Sequence, residues 1–302
     1  MGAASDFSGV AESPSFSVVV PTKNRPLKLR ECLRAVASLD YAPSRLEVVI
    51  VDDGSATARA IGEGTSLEHV TVVDQPSSGP AAARNRGAAV AGGTCVAFLD
   101  DDCTPTAAWL AELADVLTGL PNAIVGGPTV NALTQNPFAV ATQLVVDYLI
   151  AAESEDVAFL PSSNLALSRE AFLELGGFDT NFTDAGGEDR EFCARARARG
   201  YQLRLAQRAI VYHRHELGPT AFWRQHYRYG RGAYRFRRMP QHGPPKLVPE
   251  RPSFYTRLVT SAADRPRRIT LSTLLAVSQL ATLCGVVREA LTGRRPAGPM
   301  ST

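Results

Sequence analysis

The stretch CVAFLDDDC, residues 95–103, runs an apolar segment straight into three consecutive aspartates. A short uninterrupted apolar run is the pattern of a strand buried on both faces. Asp100, Asp101 and Asp102 at its end repel one another unless water or a cation absorbs the charge. Two readings stand at this point: a solvated strand end, and a hard divalent cation held by oxygen ligands.

The same pattern recurs upstream. FSVVVP (16–21) is an apolar run stopped by Pro21, LEVVIVDDGS (46–55) ends in Asp52 and Asp53, and HVTVVDQ (69–75) is a third such run. Helical stretches lie between and after them. In 25–39, Leu29, Leu33 and Val36 fall at helical spacing with Pro26 in the first turn, and GPAAARNRGAAVA (79–91) is a small-residue helix. PTAAWLAELADVLTG (105–119) is a helix closed by Gly119 and Pro121. Strand, helix, strand, strand, helix, strand, helix predicts a doubly wound α/β fold. Ligands of such sheets bind beyond the carboxyl ends of the strands. Three of the four ends are polar here: Pro21-Thr22-Lys23-Asn24, Asp52-Asp53 and Asp100-Asp101-Asp102. Neither GxGxxG nor GxxxxGK[ST] occurs in the first 100 residues, so the usual nucleotide fingerprints do not account for that rim.

The second half is less regular. FLPSSNLALSREAFLELGGFD (159–179) reads as a short strand, a helix and a Gly-Gly turn. A glycine-rich loop at 186–187 then opens a helix headed by Glu188 and Asp189 and closed by Gly200. Acids favour a helix N-terminus, and Glu191 is spaced to pair with Arg195, so capping alone explains these charges at this stage. QRAIVYHRHE (207–216) reads as a strand that delivers His213 and His215 to one side, as surface residues or as metal ligands.

The 302 residues allow one large domain or two small ones. Five cysteines, odd in number and without CxxC spacing, argue against a disulfide framework or a zinc knuckle and for a reducing compartment. The first 14 residues, with neither a basic start nor an apolar run, read as a disordered lead rather than a signal peptide. Net charge is only +2, yet Arg224 to Arg268 holds twelve Lys or Arg against Glu250 and Asp264. Such a segment suits a phosphate-rich partner: anionic lipid, nucleic acid or a phosphorylated substrate. The uncharged stretch 269–287 just reaches spanning length, but its Thr, Ser and Gln favour a helix lying on a membrane or on the domain.

Six motifs taken together, VVVPTKNRP (18–26), VVIVDDGS (48–55), GPAAARNRG (79–87), FLDDD (98–102), GGFD (176–179) and GGEDREFCARARARGY (186–201), resemble family 2 glycosyltransferases in order and spacing. The resemblance covers residues 15 to about 235. It implies the GT-A fold, a Rossmann-like, mixed but mainly parallel sheet flanked by helices, with inversion at the transferred sugar, a nucleotide-sugar donor (UDP by default) and Mg²⁺ or Mn²⁺. Through it Asp102 is expected to ligate the metal and Asp100 to contact metal or ribose, while Asp101 receives no role. Pro21, Thr22 and Asn24 would line the base pocket, and Asp53 would accept from base or ribose. Arg84, with Arg86 as the alternative, would reach the nucleotide or its phosphates. Asp189 would be the catalytic base and Glu188 would orient sugar or acceptor. Asn164 would face donor sugar or acceptor, and His213, or else His215, would contact metal or diphosphate.

The expected organisation is a transferase domain over 15–220, with a nucleotide half (15–128) and an acceptor half (129–220). A basic, aromatic helical extension over 221–302 follows. Arginines interleaved with aromatics at 222–238 fit a segment closing over the diphosphate, or docking on anionic lipid, better than nucleic acid, which is not expected as a partner. The expected acceptor is a lipid-linked or cell-envelope glycan, met from the cytoplasm at the inner membrane face by peripheral contact. A nucleotidyltransferase would want a glycine-rich loop where PTKNRP stands, and a non-catalytic nucleotide- or carbohydrate-binding module would transfer nothing. Glycoside hydrolysis would also use two carboxylates, but no nucleotide pocket.

Overall fold

A computed structural model describes residues 13–292 except 56, 151–156, 158, 183–185, 240–255 and 259. Most of the expected N-terminal lead therefore lies outside the described residues.

β1 (Phe16–Thr22) is the hub. It pairs in parallel with β2 (Leu46–Asp52) on one side and β4 (Cys95–Leu99) on the other. β3 (Val70–Asp74) extends the sheet beyond β2. The chain thus leaves β1 in one direction and later returns to its other edge, which makes the switch point where α/β sheets carry their ligands. β8 (Asn164–Ser168) runs antiparallel to β4 and to β6 (Ala123–Gly126), and β9 (Gln202–Leu205) is parallel to β6. The order is β3-β2-β1-β4-β8-β6-β9, doubly wound as the residue pattern predicted and mixed but mainly parallel as the resemblance implied. A second sheet of three short strands joins β5 (Cys103–Pro105), β10 (Val211–His213) and β7 (Thr129–Asn131).

Helices cover both faces. α1 (Pro26–Val36) buries Leu29, Cys32, Leu33 and Val36, one side of an amphipathic helix, in a core shared with Val18, Ile50 and Trp109. α2 (Ala58–Glu63) is short, and Asp52 caps its start by accepting from the N–H groups of Thr57 (2.9 Å) and Ala58 (3.0 Å). α3 (Pro80–Val90) lies close on the sheet because it is built of small residues. A Cβ at Gly87 would stand 2.4 Å from Val19. α4 (Trp109–Gly119), α5 (Pro137–Ile150) and α6 (Arg169–Glu174) follow, then α7 (Glu188–Ala198), whose inner face meets a cluster of Phe98, Phe172, Phe178 and Phe192.

The C-terminal part adds α8 (Pro219–Arg237) and α9 (Arg268–Thr292). Contacts advance together along both: Thr282 Oγ1 donates to His226 O, Gly285 meets Tyr227 and Arg231, and Glu289 binds Arg231 and Arg235. The two helices therefore run side by side in the same direction. They interlock through glycine, since a Cβ at Gly230 would stand 1.9 Å from Thr282 O and one at Gly285 2.0 Å from Tyr227 O. Glu289 is buried, and its carboxylate accepts from Arg231 Nε and Arg235 Nε at 2.8 Å each. By length and composition α9 is the one described helix able to cross a membrane. Here it is seated on α8 and, through Leu271 and Leu275, in a core shared with Leu144 and Val145 of α5 and Phe222.

Candidate active site

Parallel pairing of β1 with β2 sets Thr22 beside Asp52, while β4 ends at Leu99 and turns through the three aspartates into β5. Pairing of β5 with β10 places His213 opposite Cys103. The acidic turn and the histidine strand therefore meet at the sheet's carboxyl rim. They open on a cleft of about 1370 Å³, walled also by the start of α7 and by α5, α8 and α9.

Asp102 is the most heavily partnered of the three acids. Its Oδ1 lies 3.0 Å from His213 Nε2, and its Oδ2 accepts from Arg25 (3.2 Å) and Lys28 (3.4 Å). Burial works against its charge, but the hydrogen bond and charge of His213, with Arg25, more than offset it and hold the carboxyl well below the usual range. The His215 ring stacks 3.6 Å from that of His213, and burial with that neighbour pushes its pKa down to about 3. Asp101 is deeply buried and accepts from Thr22 Oγ1 (2.7 Å) and Arg25 (3.0 Å). Burial raises its pKa to about 6 even so. It therefore has a definite place, fastening the end of β1 to the acidic turn.

Asp100 accepts from Arg84 Nη2 at 2.6 Å, and Arg84 Nη1 reaches Glu188 Oε1 at 3.3 Å. One buried guanidinium thus ties the acidic turn to the head of α7. Its Nε is buried without a hydrogen-bond partner among the described residues. Glu188 also accepts from Gly186 N–H at 2.7 Å. Burial and the Asp189 charge raise Glu188 to about 7 against the pull of Arg84. Burial likewise raises Asp189, whose Oδ1 accepts from Arg190 N–H at 2.8 Å. Gly186 and Gly187 take φ of 124° and 104°, a conformation that favours glycine, and both lie under α8. A Cβ at Gly186 would meet Tyr229 at 2.8 Å, and one at Gly232 would stand 1.8 Å from Gly186 O.

Of the residues singled out in the sequence, Pro21, Thr22, Asp53, Arg84, Asp100, Asp102, Glu188, Asp189, His213 and His215 all line this cleft. Asp53 is held by its own surroundings: it accepts from Gln75 Nε2 (2.8 Å) and from the N–H groups of Ser78 (2.7 Å) and Gly79 (3.1 Å), fixing the loop before α3. Asn24 stands apart, an exposed turn residue with φ of 54°. Arg86 is exposed. Asn164, expected to face a sugar, is instead fully buried. Its Oδ1 accepts from Trp109 Nε1 (2.8 Å), and its Nδ2 donates to Ala209 O (2.9 Å) and Pro128 O (3.2 Å), so its amide is consumed by the framework. Arg25 and Lys28 carry much of the site's charge and were not singled out. Their signal was their place, directly after the first strand.

Asp102, His213 and Cys103 offer ligand atoms within 4.8 Å of one another. Cys103 is a poor member of that set: burial and the neighbouring aspartates push its thiol pKa up, and a hard cation prefers oxygen. Carboxylates from Asp100 and Asp102 plus an imidazole nitrogen suit an ion that fills its remaining positions with phosphate and water.

Comparison with known proteins gives the family and the fold. The sequence model of glycosyl transferase family 2 matches residues 17–176, and that of the N-terminal domain of galactosyltransferase matches residues 159–216. The chain belongs to glycosyl transferase family 2 and is by class a glycosyltransferase. The glycosyltransferase AglE of Haloferax volcanii is 28% identical over 207 residues, 66% of this chain and 67% of that protein. The pre-mycofactocin glycosyltransferase of Mycobacterium tuberculosis is 32% identical over 212 residues, again 66% of this chain but only 42% of that longer protein. Among solved structures, the mannosyltransferase PcManGT of Pyrobaculum calidifontis, in complex with GDP-Man and Mn²⁺, superposes with a TM-score of 0.61. It is 20% identical and covers 95% of this chain and 78% of that one. The likeness establishes a GT-A fold.

Proposed function

We propose that the chain is a metal-assisted, inverting transferase that moves a sugar from a nucleotide sugar to an acceptor hydroxyl. The observation that carries this reading is the Arg84 bridge, at 2.6 Å to Asp100 and 3.3 Å to Glu188. It joins the acidic turn to an acid pair within one cleft, and a single displacement would use the first for a cation and the second for a base.

Asp102 and Asp100, with His213, would hold Mg²⁺ or Mn²⁺. When bound, the cation stabilises the charge that gathers on a departing diphosphate. Pro21 and Thr22 would flank the base, and Asp53 would shape that end of the pocket through the loop it fixes. Asp189 would take the proton of the attacking hydroxyl. Its raised pKa suits a base near neutral pH, and Glu188 is already committed to Arg84 and the Gly186 N–H. Glu188 and Arg84 together would hold the head of α7 in register with the acidic turn. UDP is the default nucleotide, with GDP the competitor raised by the mannosyltransferase neighbour.

The proposal keeps 15–220 as the transferase domain and 221–302 as an extension that roofs the cleft. A lipid-linked or envelope glycan is the acceptor this roof supports, reached from the cytoplasmic face through peripheral contact. Ile269, Leu280 and Leu291 of α9 are exposed, and α8 presents a run of arginines.

A thermal-shift titration of UDP, GDP and their sugar conjugates, with and without Mn²⁺, tests the reading. Stabilisation by one diphosphate that requires the metal is expected, followed by anomeric inversion in the product. Transfer with retention, or binding with no metal dependence, would refute it.

A further inference from the structure

The cleft has two kinds of wall. Part of its lining is charged, and part is hydrocarbon: Val146 and Leu149 of α5, with Leu283, Val287 and Leu291 of α9. The three α9 residues recur at helical spacing and are 57%, 47% and 81% exposed, so the apolar lining continues from inside the cleft out to its mouth. Other residues of α9 hold it in place, Gly285 against Tyr227 and Glu289 on two arginines of α8. The stripe is therefore what remains after the helix has been seated, and a contiguous exposed apolar strip of this kind marks a ligand groove or an interaction surface. Arg224 and Arg228 of α8 line the same cleft.

Charge and position choose the occupant. A bilayer or a second copy of the chain could cover the outer stripe, but neither would reach Val146 and Leu149 inside. A slender chain would. Guanidinium groups in a cleft that also has an apolar wall and a carboxylate rim match a molecule with a hydrocarbon tail, a phosphate and a reacting end. Resting on the transferase reading above, we propose that the wall between α5 and α9 is the subsite for the hydrocarbon chain of a glycan acceptor carried on a lipid phosphate, with Arg224 and Arg228 on that phosphate. The acceptor slides in sideways at Leu291 with its tail still shielded from water.

The test is photolabelling of the full chain with farnesyl phosphate carrying a diazirine on its terminal isoprene. Label is expected in the peptides spanning 137–150 and 268–292, competed by unlabelled farnesyl phosphate. Affinity should rise roughly tenfold or more from geranyl to farnesyl phosphate, given the transfer free energy of each added methylene. Leu283→Asp and Val287→Asp alter exposed positions, so the fold should survive, as circular dichroism would verify. Each should weaken labelling at least tenfold, while Arg224→Ala should weaken farnesyl phosphate and leave farnesol unchanged. Label elsewhere would overturn the proposal. So would unaltered labelling in folded Asp variants that instead lose sedimentation with phosphatidylglycerol vesicles or lose self-association. The metal-dependent nucleotide shift distinguishes the two levels: if it persists while farnesyl labelling fails, only the subsite falls, and if it is absent the transferase reading itself falls.

Discussion

Arg84→Met keeps the length and much of the volume of the side chain but removes the charge that bridges Asp100 and Glu188. The two ends of that bridge should respond differently to pH. The Asp100 side chain is 28% exposed, so losing its bond should cost only about 1 kcal/mol at any pH where it is ionised. Glu188 is buried, and an unpaired buried carboxylate costs about 3–5 kcal/mol while it is charged. It can escape by taking a proton. In the native protein its pKa already stands at about 7, against an ordinary 4.5. The folded state therefore binds more protons than the unfolded one between these values, so the contribution of Glu188 is fully present below 4.5 and is lost as pH rises through 7. Removing Arg84 raises the folded pKa further and carries the loss to higher pH. Urea unfolding should show the variant destabilised by about 1 kcal/mol near about pH 5 and by about 3 kcal/mol or more near about pH 8. An equal penalty at the two pH values, or less than about 1 kcal/mol at the higher one, would mean that the guanidinium is not pairing with Glu188.

Further outcomes follow from the same geometry. Asp102→Ala should abolish the metal-dependent part of nucleotide stabilisation in a thermal-shift titration, and an unchanged response to Mn²⁺ would reject it as a ligand. Asp189→Asn should keep donor affinity and lower transfer by about 10²–10⁴, as loss of a general base does, and parallel loss of donor binding would move the base elsewhere. Asn164→Leu strands Trp109 Nε1 and two backbone carbonyls. It should cost about 3 kcal/mol in chemical unfolding without changing donor affinity in the folded fraction. Gly285→Ala forces a Cβ to within 2.0 Å of Tyr227 O, so faster amide exchange along α9 and about 1–3 kcal/mol of destabilisation are expected.

The central sheet was legible because β1, β2 and β4 are mainly apolar runs, the first stopped by Pro21 and the other two by acids. The second sheet was legible only at 207–216, since strands of three residues carry no period to read. The acidic rim and the head of α7 were visible as charge in unusual places, but their partners were not. Nothing in the spacing says that Arg84, 16 residues before Asp100 and 104 before Glu188, touches both. Asn164 shows the opposite failure: the resemblance gave it to donor sugar or acceptor, and only the approach of α4 and residue 209 makes it a buried crosslink. Asp101 was passed over as the middle of its motif, although it is the member that grips Thr22. The uncharged helix at the C-terminus was ambiguous for a physical reason. A core helix, a surface helix and a span share that composition, and only the glycine contacts with α8 show what it rests on.

The contact between Gly232 and the Gly186 carbonyl limits how this architecture can be recombined. A designer exchanging the last third of the chain between relatives, to graft a new acceptor preference, would be handling a backbone-to-backbone seam with no side chain to absorb a mismatch. The hinge bearing the two acids and the helix above it would have to travel as one cassette, 186–189 together with 219–237, or the graft would displace the chemistry it was meant to redirect.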